Sequence, residues 1–465
     1  MSRFTAPPLL FRLLAILGVG LALLAEPSAA LAHALTGSYQ SRLPLPVYLV
    51  GAGLTVALSF AFVLVRDLRA EPPADVAPAR LPPRPVRWLL RGVGLVGWLW
   101  IVAQGILGGS SLADVASLFV WNYTWVVVAL ISALWFPIWH WLDPFSTLHD
   151  LGARALRAAG VDGWAPSPYP AWLGRWPAVA LLMFLIWMEL VLRGGLGSTL
   201  FVAILGYTAF TLAMMAQFGR DTWRANGEVF NVWFRILNRL APYGLADDLG
   251  RLRRRSFGSG LLSGGWQRAD VALIALGTGS ILFDGLSQTA PWYNLLGAPP
   301  AGPLTLQLIG FLALVVGSAL LVARAVGLAS TAAGLLPIAV GYLLAHYLTF
   351  VVIDGQRLLI ALSDPFQQGW DVFGTAFNEP TGAFLPPGLV WTAQIVTVVG
   401  GHMTGAWAGH VAAARHGAGD LRLRQVPLAV VMVVLTTVTL WSLGQAIVET
   451  LEEASAVLRS GAAGR

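Results

Sequence analysis

Six ionisable residues stand where they could do chemistry: His346 in LLAHYLTF, His402 in GGHMTGAW, Glu189 in LIWMELVL, Asp284 in ILFDGLSQ, Asp354 in VVIDGQR and His33 in ALAHALTG. All but His33 lie inside or at the end of long apolar runs, where an ionisable group is expensive unless it has a partner or a task. Two or three imidazoles with one or two carboxylates make a donor set for copper or zinc, and such a centre can activate water for hydrolysis. The same groups can equally pass protons or ions through a transporter. No HExxH or comparable spacing fixes the ligands, so no catalytic residue is singled out and both readings stay open. Each histidine also has a plain structural reading, as a side chain hydrogen-bonded between packed helices.

Spacing narrows the set. His402 and His410 are eight residues apart, which on a helix is roughly 12 Å along the axis and about 80° around it, so they cannot share one ion. Gly400, Gly401, Gly405 and Gly409 beside them would let another helix approach closely. His140, His149 and His416 fall at the ends of apolar runs near Arg-rich loops and need no function. His33 would become the first residue of the mature chain if a signal segment ended at Ala32, and an amino group beside an imidazole can chelate copper.

The elements that must position these groups follow from composition. The chain has 465 residues, 57% hydrophobic and 11% charged, with mean hydropathy +0.70, against roughly 25% charged residues in a soluble domain. Its partner is a lipid bilayer, and the fold class is an all-α bundle of spanning helices. Every basic residue is Arg and there is no Cys, which excludes lysine Schiff bases, a Walker-type phosphate lysine, thiol nucleophiles, disulfides and cysteine-held clusters. The net charge of +6 reflects Arg in the loops between apolar runs, as topology requires, and implies no nucleic-acid partner.

Residues 1–32 read as a signal peptide, with Arg3 and Arg12, an apolar core and Ala30 and Ala32 before a cut. About ten spans follow, near 47–65, 88–108, 119–140, 177–193, 198–218, 270–286, 303–323, 331–353, 387–412 and 426–448, each close to the roughly 20 residues a crossing needs. With the mature N-terminus outside, 21 Arg fall in inside loops and 5 outside, the bias of a protein in a bacterial cytoplasmic membrane. The organisation expected is a first five-span half over 33–218, a cytoplasmic loop over 219–269, a second half over 270–449 and a tail over 450–465. Within the loop, GEVFNVWFRILNRLAP reads as an amphipathic helix lying on the membrane face. The Pro-rich stretch Arg66–Arg87 reads as a linker without a domain.

Asp143-Pro144-Phe145 after the third span returns as Asp364-Pro365-Phe366 after the eighth, each with another Asp seven residues on, Asp150 and Asp371. Asp as N-cap and Pro at the first helical position would start a helix at both places. Five spans per half would then set the copies on opposite sides, as in an inverted-repeat transporter.

HALTGSYQSRLPLPVYLVGAGLTVALSF, LAHYLTFVVIDGQRLL, SDPFQQGWDVFG and QVPLAVVMVVLTTVTLWSLG together resemble a family of bacterial polytopic membrane proteins labelled fenitrothion hydrolase. The resemblance implies a membrane-bound phosphotriester hydrolase and names no catalytic residues. Three functions therefore stand side by side: an outward-facing His/carboxylate site holding copper or zinc and acting on a small molecule, an ion-coupled permease, and a structural subunit with no site.

Overall fold

In lipid a chain can satisfy its backbone only within itself, so apolar runs of spanning length become helices. The computed structural model describes residues 45–65, 77–107, 114–161, 166–192, 198–246, 251–297, 301–416 and 425–443. The expected signal segment, His33 and the tail lie outside them. Each of the ten apolar runs falls on a helix: α1 Leu45–Val65, α2 Arg84–Leu107, α3 Val115–Leu134, α5 Trp176–Leu190, α6 Ser198–Phe218, α8 Arg268–Ser287, α9 Ala301–Val326, α10 Leu328–Asp354, α11 Pro387–His416 and α12 Val426–Leu443. Between them lie α4 Pro144–Ala158 and α7 Val229–Leu237. Six helices among the described residues are long and apolar enough to cross a membrane. The chain is an all-α, multi-pass helical bundle.

Burial separates inner helices from outer ones. On α9, Leu306, Leu314 and Leu321 are exposed while Leu308, Leu312 and Ala319 are buried, an apolar outer face of the kind that meets lipid. By contrast α8 is buried from Ala269 to Phe283, and α10 from Ser330 to Leu343. Those two central helices carry Asp284 and His346, each just past its fully buried stretch.

The closest helix pair is α10 with α11, and small residues explain it. Gly334 and Gly341 of α10 face Gly401, Gly405 and Gly409 of α11; a Cβ on Gly401 would stand 2.6 Å from the Pro337 carbonyl oxygen. Backbones this near leave no room for a side chain and maximise dispersion contacts where water cannot drive association. Gly400 does not take part, for a Cβ there would meet nothing within 4 Å.

The structure departs from the sequence reading at five places. The third apolar run was expected to reach residue 140, yet α3 ends at Leu134 and a short helix resumes at Trp139–Leu142. Pro137 disfavours helical backbone before it and removes a donor. Within α3, Leu118–Val128 is wound as a π-helix.

The amphipathic helix is not a surface helix. Val229, Phe230, Val232, Trp233, Phe234, Ile236 and Leu237 of α7 are all buried: Phe230 and Phe234, flanking the apolar stripe, pack around Trp139. The Pro-rich linker contributes a strand, β1 Ala77–Ala79, which pairs antiparallel with β3 Leu252–Arg254, itself paired with β2 Tyr243–Leu245.

The two Asp-Pro-Phe segments also differ. Asp143 caps α4, accepting from Phe145 N at 2.9 Å and Ser146 N at 3.1 Å. No helix starts at Pro365: Asp364 accepts from Gln368 N at 2.8 Å and Gly369 N at 2.9 Å, closing a turn in which Gln367 and Gly369 take positive φ. Glycine five residues after Asp364 supplies that conformation cheaply, whereas Ser146-Thr147-Leu148 continue as helix. Finally, α10 and α11 pack tightly, while their first-half counterparts α3 and α5 do not pack closely on each other. In both respects the two halves are unlike.

Candidate functional site

Asp284 sits in the last turn of α8, and His346 sits about two turns before the end of α10. His346 Nε2 is 2.8 Å from Asp284 Oδ2, while Gln288, the C-cap residue just past α8, donates to Asp284 Oδ1 at 2.6 Å. Both side chains keep some exposure, 17% for His346 and 21% for Asp284. The pair therefore has an edge open to exchange with its surroundings.

Tyr347 follows His346, and successive helical side chains point about 100° apart, so it reaches a different neighbour. Its hydroxyl donates to Glu189 Oε1 of α5 at 3.0 Å. Glu189 Oε2 is sealed from the surface and has no hydrogen-bond partner among the described residues. Adjacent residues of α10 reach the two carboxyls, His346 that of Asp284 and Tyr347 that of Glu189. His346, Asp284, Tyr347 and Glu189 thus form one cluster spanning α5, α8 and α10.

Aromatic rings frame the cluster: the His346 ring meets Tyr347 at 4.8 Å and Tyr342 at 5.9 Å, both edge-on. The π-helical part of α3 lies against the following turn of α10, with Tyr123 donating to the Gly355 carbonyl at 2.9 Å and Asn122 to that of Phe350 at 3.3 Å. Reading ionisable residues alone missed Tyr347 and Gln288. The available signal was Tyr347 directly adjoining His346, two groups able to exchange hydrogen bonds side by side on a mostly apolar span.

The other candidates are elsewhere. His402 is buried, its Nδ1 2.8 Å from the Val398 carbonyl oxygen of its own helix. Gln394 of α11 donates to the Ala345 carbonyl while Gly401 abuts Pro337, so His402 lies near the level of Pro337 and His346 near that of Gln394. That separates them by eight residues of helix, about 12 Å. Asp354 is eight residues beyond His346 and ion-paired with Arg357 at 2.9 Å. His33 is outside the described residues, and His410 Nδ1 is held 3.0 Å from Gln425 Oε1.

A metal centre was one expectation, and its fit is decided by the donors. Among the described residues no three His, Asp or Glu converge on a common point as metal ligands. His346, Asp284 and Glu189 are joined through hydrogen bonds and a tyrosine. His33, the remaining expected ligand, lies outside the described residues, and no step is derived through a metal.

A second buried polar cluster serves the fold. Glu228 caps α7, accepting from Phe230 N at 3.1 Å and Asn231 N at 2.7 Å, and receives the Tyr207 hydroxyl at 2.6 Å and the Trp139 indole at 3.2 Å. Burial and the nearby Asp143 carboxylate push its pKa up to about 7. Asp143 pairs with Arg224 at 3.1 Å. A partly open cavity of about 350 Å³ lies between α2, α3, α5 and α6; its described lining includes Gly97, Phe119, Phe184 and Leu200, and no Asp, Glu, His or Arg. It has the character of a hydrocarbon niche without acid–base chemistry. No known family model, curated protein or solved structure matches the chain.

Proposed function

We propose that this chain is an ion-coupled permease of a bacterial cytoplasmic membrane, mature N-terminus outside, in which the His346–Asp284 pair and the Tyr347–Glu189 pair bind and release the coupling proton. One observation carries the reading. Glu189 is a carboxyl with a single hydroxyl donor and a bare, sealed second oxygen, set close to a second carboxyl that is paired with an imidazole and partly open.

Two carboxyls in a poorly screened site cannot both carry charge cheaply. A proton gained at Asp284 removes the charge that Glu189 feels, so occupancy at one pair sets the other. His346 Nε2 and the Tyr347 hydroxyl supply groups that can hand a proton on. A protein that only packed helices would gain nothing from the arrangement, since a buried polar group without a partner costs free energy.

The test uses purified protein reconstituted on a solid-supported membrane, with a rapid pH step and no added substrate. The expected result is a transient current of bound protons, lost in Asp284→Asn and Glu189→Gln and kept in His402→Asn. Equal currents from wild type, variants and protein-free membranes would overturn the reading.

A further inference from the structure

At the Arg-rich end of the bundle, away from the cluster above, α7 and the segments that follow it enclose a partly open cavity of about 160 Å³. A water molecule takes up about 30 Å³ of liquid, so the space suits a small polyatomic ion. Arg175, Arg235, Arg239 and Arg255 line it with Asn238 and Ser263, and no described lining residue is acidic.

Three of these arginines are fixed in ways that hold their charge in place. Arg175 Nη1 binds both oxygens of the fully buried Asp270, at 2.7 and 2.9 Å. Arg239 stacks over the Trp266 ring at 3.7 Å and donates to the carbonyls of Ser263 at 3.3 Å and Gly264 at 3.2 Å. Arg255 donates to the carbonyl of Ala241 at 2.9 Å and to that of Asn238. Carbonyl oxygens orient a guanidinium without neutralising it. Asp270 pairs directly with Arg175 and also acts on Arg239 from nearby, one carboxylate set against four lining arginines.

The electrostatics agree with the geometry. Burial lowers the pKa of both Arg239 and Arg255 to about 10; for Arg239 the Asp270 carboxylate opposes the shift, while Arg175, Arg255 and Arg235 press it further down. Cations crowded in a shielded cavity are a strained arrangement unless an anion completes it. Planar guanidinium forks match tetrahedral oxyanions, and phosphate above all.

We propose that this cavity binds a phosphate group, held by Arg239 and Arg255 with Arg175 beside them. The phosphate comes either free from solution or as the headgroup of an anionic phospholipid, a known occupant of basic pockets at the ends of spanning helices.

The full-length protein in detergent is first stripped of lipid. Its thermal midpoint is measured with sodium phosphate against sodium chloride of equal ionic strength, and native mass spectrometry follows addition of phosphatidylglycerol. A saturable upward shift with phosphate and no retained lipid identifies a free anion. One retained phosphatidylglycerol that phosphate displaces identifies a headgroup. Arg239→Gln should weaken either by roughly tenfold, the usual scale for a lost charge-assisted hydrogen bond. Arg239→Lys, which keeps the charge and loses the fork, covers the case in which the glutamine variant does not fold. Two results would overturn the proposal: wild type that responds to neither probe beyond the chloride control, or binding unchanged in folded Arg239 variants.

Discussion

Tyr347 and Glu189 are 158 positions apart in the chain, yet the tyrosine hydroxyl lies 3.0 Å from Glu189 Oε1 and is the donor that carboxyl has. The contact ties α10 to α5, and through His346 the same turn of α10 is tied to α8. Three helices thus share a charged junction that no local sequence pattern announces.

Removing that donor leaves a shielded carboxyl with no partner. Tyr347→Phe is expected to destabilise the protein by about 1–3 kcal/mol, read as a lower thermal midpoint in detergent. Glu189→Gln alone, and both changes together, complete a double-mutant cycle, in which contacting residues couple by about 0.5–3 kcal/mol. Additive effects would mean that the two side chains do not interact.

Neighbouring glycines on α11 should behave oppositely. A methyl at Gly401 would strike the Pro337 carbonyl at 2.6 Å, so Gly401→Ala is expected to cost about 1–3 kcal/mol through overpacking. Gly400→Ala meets open space and should be neutral or stabilising by about 0.5–1 kcal/mol, since alanine is the better helix former. Thermal melts of the two variants side by side decide it; equal losses would contradict the observed α10–α11 seam.

The two Asp-Pro-Phe segments make unequal demands. Asp143 is 2% exposed, caps α4 and pairs with Arg224, so Asp143→Ala strands a buried guanidinium at a cost of about 3–5 kcal/mol. Asp364 closes only a partly exposed turn, and Asp364→Ala should cost about 1 kcal/mol. Expression yield and melting temperature of the pair would show the difference, and similar losses would restore an equivalence between the two motifs.

Acid should weaken the Arg-rich end through His140. Burial, and then the charges of Arg224, Arg235, Arg91 and Arg220, hold its pKa down to about 3, against 6.5 for an ordinary histidine. Between those values the unfolded chain takes up a proton that the folded one refuses. The contribution is therefore complete above pH 6.5 and is lost as pH falls toward 3, at about 1.4 kcal/mol per pH unit. Melting temperature between pH 7 and pH 4.5 should fall less steeply in His140→Asn than in wild type. Parallel curves would refute the assignment.

Composition and apolar periodicity were enough to establish the helical membrane class and to set a helix on each of the ten apolar runs, the third of which ends early at Leu134, because in lipid an apolar run must satisfy its own backbone and so carries its signal locally. The small-residue face of α11 was legible for the same reason: closeness needs absent side chains, and absence shows in sequence. Of the charged residues, His346, Asp284 and Glu189 were marked by the expense of ionisable groups among apolar neighbours, but so were His402 and Asp354, and nothing in the chain order separates the two groups. Only the tertiary structure did so, since hydrogen bonds between helices depend on depth and rotation: α10 sets His346 against α8 and Tyr347 against α5, while the register of the glycine seam carries His402 about 12 Å away. Likewise α7 was amphipathic by pattern, and the aromatic packing of Phe230 and Phe234 around Trp139 drew the flanks of its apolar stripe inward, a choice made by partners that lie far along the chain.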